Sequence, residues 1–143
     1  GAVRGRVLAV DYGSRRIGLA LSDPTGVATQ MLPDVRRRGD DPRAAQEVAE
    51  VAHRYEVRTI VVGLPLRLDG TEGPQAQAAR RFARLLERTA ALPVRLWDER
   101  LTSVQAERIL LEGGLRRKRR RQLRDRLAAA LVLRSFLQAQ PDS

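Results

Sequence analysis

Apolar and polar positions along the chain change period several times, and each change marks an element. Val7-Leu8-Ala9-Val10 is apolar on both faces of an extended chain and closes on Asp11, the pattern of a buried central strand. After the turn Tyr12–Arg16, residues 17–22 alternate, with Ile17, Leu19 and Leu21 on one face and Gly18 and Ala20 on the other. A short turn between two such runs predicts an antiparallel hairpin, and Gly18 predicts that something approaches that face closely. Asp23-Pro24-Thr25-Gly26 is a second turn, and Val27–Leu32 gives a third strand.

Asp41-Pro42 then reads as a helix start, with Asp41 as N-cap, Pro42 in the first turn, and Ala45, Val48, Ala49 and Ala52 at helical spacing. Thr59–Gly63 is a β-branched run suited to a buried parallel strand. Leu64–Pro74 is a loop, Gln75–Ala91 a helix, Val94–Trp97 a strand, and Ser103–Glu112 a helix capped by Thr102. Leu115–Arg121 is a basic loop before a last helix over about Gln122–Gln138, and residues 139–143 form a disordered tail. The order predicts a single α/β domain over residues 1–143. Its sheet is mixed and five-stranded, three antiparallel strands followed by two parallel ones, and it is flanked by helices.

Composition narrows the chemistry. The chain is 43% hydrophobic and 31% charged, as globular proteins are, and carries a formal net charge of +10, which favours a polyanionic partner. It has no cysteine and one histidine, His53, so disulfides and zinc sites built on Cys or His are excluded. No run reaches the roughly 20 apolar residues of a membrane span, and no signal segment opens the chain, so a soluble cytoplasmic protein without membrane contact is expected.

Three acids interrupt apolar surroundings. Asp11 and Glu99 stand at carboxyl ends of predicted strands, the edge where open α/β sheets bind ligands. Asp125 shares a helix face with Ala128, Ala129 and Val132. Converging carboxylates repel unless cations meet them, and oxygen ligands alone suit Mg²⁺ or Mn²⁺. Two such ions can hydrolyse a phosphodiester. Each acid also has a plain structural reading: Asp11 in a turn, Glu99 paired with Arg100, Asp125 as a helix N-terminal charge. Asp69, in the Asp-Gly turn after the fourth strand, is the alternative third acid. The unbroken run Arg116, Arg117, Lys118, Arg119, Arg120 and Arg121, with Arg15, Arg16 and Arg100, supplies candidate phosphate contacts. Aromatics are 3% of the chain, which favours recognition of shape over base stacking.

Five stretches in order, Ala9–Ala20, Val61–Leu66, Asp69–Gly73, Trp97–Ser103 and Asp125–Ala129, together resemble the YqgF (RuvX) family of Holliday-junction-resolvase-like proteins and nucleases of pre-16S rRNA. The resemblance implies a ribonuclease H-like fold, and a metal-dependent, structure-selective endonuclease acting on branched DNA or precursor rRNA. It implies Asp11, Glu99 and Asp125 as catalytic acids, with Mg²⁺ or Mn²⁺ as cofactor. In that fold the last strand is separated from the first by the strand ending at Gly63, so Glu99 has to reach across that glycine. The alternative is a non-catalytic nucleic-acid or ribosome-associated protein with a role in transcription or rRNA maturation. An actin-like ATPase is disfavoured because 143 residues leave no room for a second lobe. Symmetric cleavage of a junction would require a homodimer.

Overall fold

The computed structural model describes residues 5–37, 40–102 and 117–140, with only the backbone course given for 117–126. Five strands, β1 (Arg6–Tyr12), β2 (Arg16–Ser22), β3 (Thr29–Arg36), β4 (Val57–Leu64) and β5 (Val94–Asp98), form one sheet in the order β3-β2-β1-β4-β5. The first three pair antiparallel, while β4 runs parallel to both β1 and β5. This is the mixed sheet the sequence predicts. β1 lies at its centre, as its two-sided apolar pattern requires.

Alternation along β1 divides the core. Leu8 and Val10 face one side with Ile17, Leu19, Ile60 and Val62, under α1 (Asp41–Arg54) and α2 (Pro74–Ala90), which contribute Val48, Phe82 and Leu86. Val7 and Ala9 face the other side with Ala20 and Val61, under α3 (Arg117–Ala139), which contributes Ala129, Val132, Leu133 and Phe136. Trp97 packs at the border of this second core, edge-on to Phe136 at 5.5 Å, and its indole N–H donates to Ser135 Oγ at 3.0 Å. His53 bridges the two helices of the first face through Nε2 and the Ala90 carbonyl at 2.8 Å.

Several boundaries differ from the sequence reading. β3 starts later than Val27 and continues to Arg36, because Pro33 is absorbed where the register shifts. Ile17 pairs with Val35 and Leu19 with Leu32, so Pro33 and Asp34 together oppose Gly18. The N-cap of α1 is Asp40, which accepts from Arg43 N at 3.3 Å. Asp41 is unavailable because the Tyr12 hydroxyl donates to its two oxygens at 2.7 and 2.8 Å and Arg37 pairs with it at 3.2 Å. Pro42 follows in the first turn, where its missing N–H costs nothing.

The basic stretch is also corrected: α3 begins at Arg117, so residues 117–121 are helix and not loop. Arg, Lys and Gln are good helix formers, and the segment holds no glycine or proline to stop it. The expected helix over Ser103–Glu112, together with Leu115, Arg116 and residues 141–143 of the tail, lies outside the described residues. No helix among the described residues is long and apolar enough to cross a membrane.

Asp40→Ala should lower unfolding stability by about 1 kcal/mol, while Asp40→Asn should cost only a few tenths. Urea titration measures both. An unchanged midpoint in Asp40→Ala would remove the cap from Asp40.

Candidate active site

Asp11 continues the Val7–Ala9 row, so it stands on the α3 face at the carboxyl end of the central strand. Its partner on β2 is Gly18. A Cβ placed on Gly18 would lie 3.6 Å from the Cβ atoms of both Asp11 and Ala129, so the helix passes directly beside the acid. Asp125 precedes Ala129 by one turn of α3. Its side chain lies outside the described residues, as do those of Arg117, Lys118, Arg119, Arg120 and Arg121.

Glu99 immediately follows β5, two strands away from Asp11, with β4 between them. Its backbone N–H donates to the Leu64 carbonyl at 3.0 Å, which ties the end of β5 to the end of β4. Its side chain then crosses β4 at Gly63. A Cβ there would sit 3.1 Å from both Cγ and Cδ of Glu99 and closer still to Oε1. Any other residue at position 63 would occupy the volume the carboxylate uses. The reach across Gly63 expected from the sequence is therefore present, and it brings Glu99 into hydrogen-bonding contact with Asp11.

Two ionised carboxylates cannot hydrogen-bond each other, so one must keep a proton. Burial, then the Asp11 charge, then the hydrogen bond to Asp11, and last the Asp98 charge push the Glu99 pKa from 4.5 up to about 8. The two carboxyl groups titrate as a pair, and it is the pair that holds on to a proton above the ordinary carboxylate range. Two partly desolvated carboxyl groups in contact have the donor chemistry of a hard divalent metal site: oxygen ligands, like charges, partial desolvation. Among the described residues no group of three His, Cys, Asp or Glu side chains is placed to hold a metal ion.

The segment that carries Glu99 is braced on both sides. Asp98 accepts from the Arg100 backbone N–H at 2.9 Å and pairs with its guanidinium at 2.8 Å. The Thr102 hydroxyl donates to the Glu99 carbonyl at 2.7 Å, within a helical turn that has already started at Arg100, so Thr102 is not the helix cap the sequence suggested. Arg100, expected at phosphate, is bound to Asp98, and its Nη1 reaches the Leu68 carbonyl at 3.3 Å. Glu99 is not its salt-bridge partner. Asp69 is closed into its own turn, accepting from the Thr71 N–H at 2.9 Å and hydroxyl at 2.6 Å, and Glu99, not Asp69, meets Asp11.

Arg15 and Arg16 are exposed in the turn just beyond Asp11, with Asp34 3.8 Å from Arg16. That turn is held by residues the sequence reading passed over. Arg37 donates to the Gly13 and Ser14 carbonyls at 3.0 and 3.1 Å and lies 4.4 Å over the Tyr12 ring, which stacks on Phe82 at 4.6 Å. Burial and the Asp41 hydrogen bond push the Tyr12 phenol up to about 12. The i,i+4 spacing of Arg37 and Asp41 was the available signal. Gly13 is a tight-turn glycine, because a Cβ there would collide with the Arg16 carbonyl oxygen.

A central strand ending in an acid, in a sheet ordered β3-β2-β1-β4-β5 with helices on both faces, places the chain among ribonuclease H-like α/β proteins. It shares this fold with RuvC of T. thermophilus, solved in complex with a Holliday junction substrate. The TM-score is 0.52 at 17% identity, over 72% of this chain and 69% of that one. The chain belongs to the RuvX family, described as Holliday junction resolvase, whose profile matches residues 5–139. A relative in Koribacter versatilis is 48% identical over 137 residues, covering 96% of this chain and 89% of its own. Another in Pelotomaculum thermopropionicum is 44% identical over 135 residues, covering 94% and 88%. Both carry the name "Putative pre-16S rRNA nuclease".

Gly63→Ala should displace the Glu99 carboxylate and weaken Mn²⁺ binding, while Gly18→Ala, which meets only ordinary contact distances, should leave it intact; calorimetry with Mn²⁺ distinguishes them. The acid pair also predicts a pH dependence. Because the folded pKa of Glu99 lies above its unfolded value, its contribution to stability is full below about 4.5. It is lost as pH rises toward about 8. In chelator, denaturation midpoints should fall across that window, and Glu99→Gln should flatten the slope.

Proposed function

We propose that this chain is a metal-dependent endonuclease that hydrolyses phosphodiester bonds in structured nucleic acid, with precursor 16S rRNA as its substrate. The observation that carries the reading is the Asp11–Glu99 pair, built across Gly63 at the carboxyl edge of the sheet. The family and the nuclease names of the relatives support the substrate class.

Asp11, Glu99 and Asp125 are the residues we assign to Mg²⁺ or Mn²⁺. A pair of such ions supplies activation of a water and stabilisation of the leaving oxygen. The protein's own part is arrangement. Asp11 is fixed by its strand. Glu99 is fixed by the Leu64 carbonyl, the Asp98–Arg100 pair and Thr102, and as a carboxylate it would serve with Asp11 as an oxygen ligand. Arg15 and Arg16 are assigned to the phosphate backbone on one flank. Arg116, Arg117, Lys118, Arg119, Arg120 and Arg121 are assigned to it by their charge and their place in the chain just before Asp125.

With Mg²⁺ or Mn²⁺ and precursor rRNA, a four-way DNA junction and linear duplex as substrates, the chain should cleave the precursor rRNA, and Asp11→Asn should reduce cleavage to background. Binding without cleavage by the unaltered chain would instead establish a non-catalytic RNA-binding protein, and cleavage that survives Asp11→Asn would remove the acids from the chemistry. Replacing Arg15 and Arg16 together by Ala should weaken RNA binding at all sequences and reduce the slope of log affinity against log salt by about 2, close to 1 for each phosphate no longer neutralised.

A further inference from the structure

The turn Gly13–Arg16 follows directly on the end of β1 and returns the chain to Gly18, the residue paired with Asp11. Three successive carbonyls of this turn are tied to one residue. Arg37 Nη1 donates to the Gly13 carbonyl at 3.0 Å and to the Ser14 carbonyl at 3.1 Å, and the Arg37 backbone N–H donates to the Arg15 carbonyl at 3.0 Å. The guanidinium is itself held. Its Nη2 donates to Asp41 at 3.2 Å, and it lies 4.4 Å over the Tyr12 ring. Tyr12 stacks on Phe82 of α2, and Asp41 opens α1, so the guanidinium lies on the α1 and α2 side of the sheet.

In a trans peptide the carbonyl and the N–H that follows it point in opposite directions. No peptide bond in this turn is cis. With the Gly13 and Ser14 carbonyls aimed at the guanidinium, the N–H groups of Ser14 and Arg15 point away from it. They are directed to the side on which Asp11 stands, because Asp11 and Tyr12 project to opposite faces of one strand. Neither N–H is hydrogen-bonded to another described residue, and Ser14, Arg15 and Arg16 are all exposed. A cation at the carbonyl end of a peptide polarises it and enlarges the positive charge at its N–H. Two successive N–H groups turned to one side are the backbone arrangement that takes an oxyanion. Asp34 lies 3.8 Å from Arg16, while Arg15 has no anionic partner among the described residues and adds its charge to the turn.

We propose that the Ser14 and Arg15 backbone N–H groups, aimed by Arg37, hold a phosphate of the nucleic acid next to the one at Asp11 and Glu99. Ser14 is three residues beyond Asp11, roughly 10 Å along the hairpin at the rise of a strand, so the phosphate it meets is a neighbour of the one being cut. The proposal rests on the nuclease reading and deepens it. The turn grips through its backbone as well as through the Arg15 and Arg16 side chains, and Arg37 is a positioning residue that touches no phosphate itself.

The test follows the amide resonances of the isotope-labelled full chain in chelator, as inorganic phosphate, or chloride at equal ionic strength, is added. The Ser14 and Arg15 amide protons should move downfield with phosphate and not with chloride. Arg15→Ala together with Arg16→Ala removes the side-chain charge and keeps both N–H groups, so the shifts at positions 14 and 15 should persist at higher phosphate concentration. Arg37→Ala should abolish them and weaken binding of precursor rRNA about tenfold, as for loss of one hydrogen bond to a charged group, with the salt slope unchanged. Shifts that vanish in the double variant, or that survive in Arg37→Ala, would overturn the proposal, as would their absence from the unaltered chain. If Arg37→Ala does not fold, the unaltered chain and the double variant decide between them. A chain that cleaves precursor rRNA without these shifts leaves the nuclease reading standing and removes the backbone site. A chain that neither binds nor cleaves that RNA ends the nuclease reading and the role of the turn with it, whatever inorganic phosphate does.

Discussion

The site depends on two carboxyl groups being held together although their charges oppose it. Asp11 and Glu99 come from strands that are not neighbours, and they meet because the strand between them has a glycine where their side chains pass. Removing water from such a pair costs free energy that a proton or a cation must recover. The surrounding hydrogen bonds, from Leu64, Asp98, Arg100 and Thr102, hold Glu99 in place whichever of the two is present.

The two faces of the sheet divide the work. The face under α1 and α2 is filled with large apolar side chains and ends at Tyr12, which is stacked on Phe82 and bound to Asp41. The face under α3 is built from smaller residues near the acid: Ala9, Gly18, Ala20 and Ala129. Small residues bring the helix axis close to the sheet, which leaves Asp11 at a narrow edge shared by strand and helix. Alternation along a single strand therefore sends Tyr12 to the structural side and Asp11 to the chemical side.

Much of this was legible in the sequence because it rests on local patterns. The two-sided run before Asp11 marked the central strand, Gly18 marked the close face, and the antiparallel and parallel halves of the sheet followed from turn length and β-branched runs. Gly63 beneath Glu99 was readable once the sheet order was supplied by family resemblance. What escaped were choices between equivalent neighbours. Asp40 and Asp41 are adjacent and chemically alike, and only the distant Tyr12 and Arg37 decide which of them caps α1. Arg100 is a surface cation in the sequence, and becomes a brace only when Asp98 and Leu68 are seen around it. The basic run was read as loop from its charge, although its residues are helix formers.

The sheet order also bears on how the chain acquires its shape during synthesis. β1 pairs with β2 and β2 with β3 through short connections, so that meander can form early, but the other edge of β1 waits for β4, and its α3 face waits for the last described helix. Domains emerge from the ribosome amino end first. Asp11 is thus made before its partner acid, with β2, β3 and β4 between them in the chain. Until β5 has emerged, the chain carries its central strand without the carboxyl group that meets Asp11.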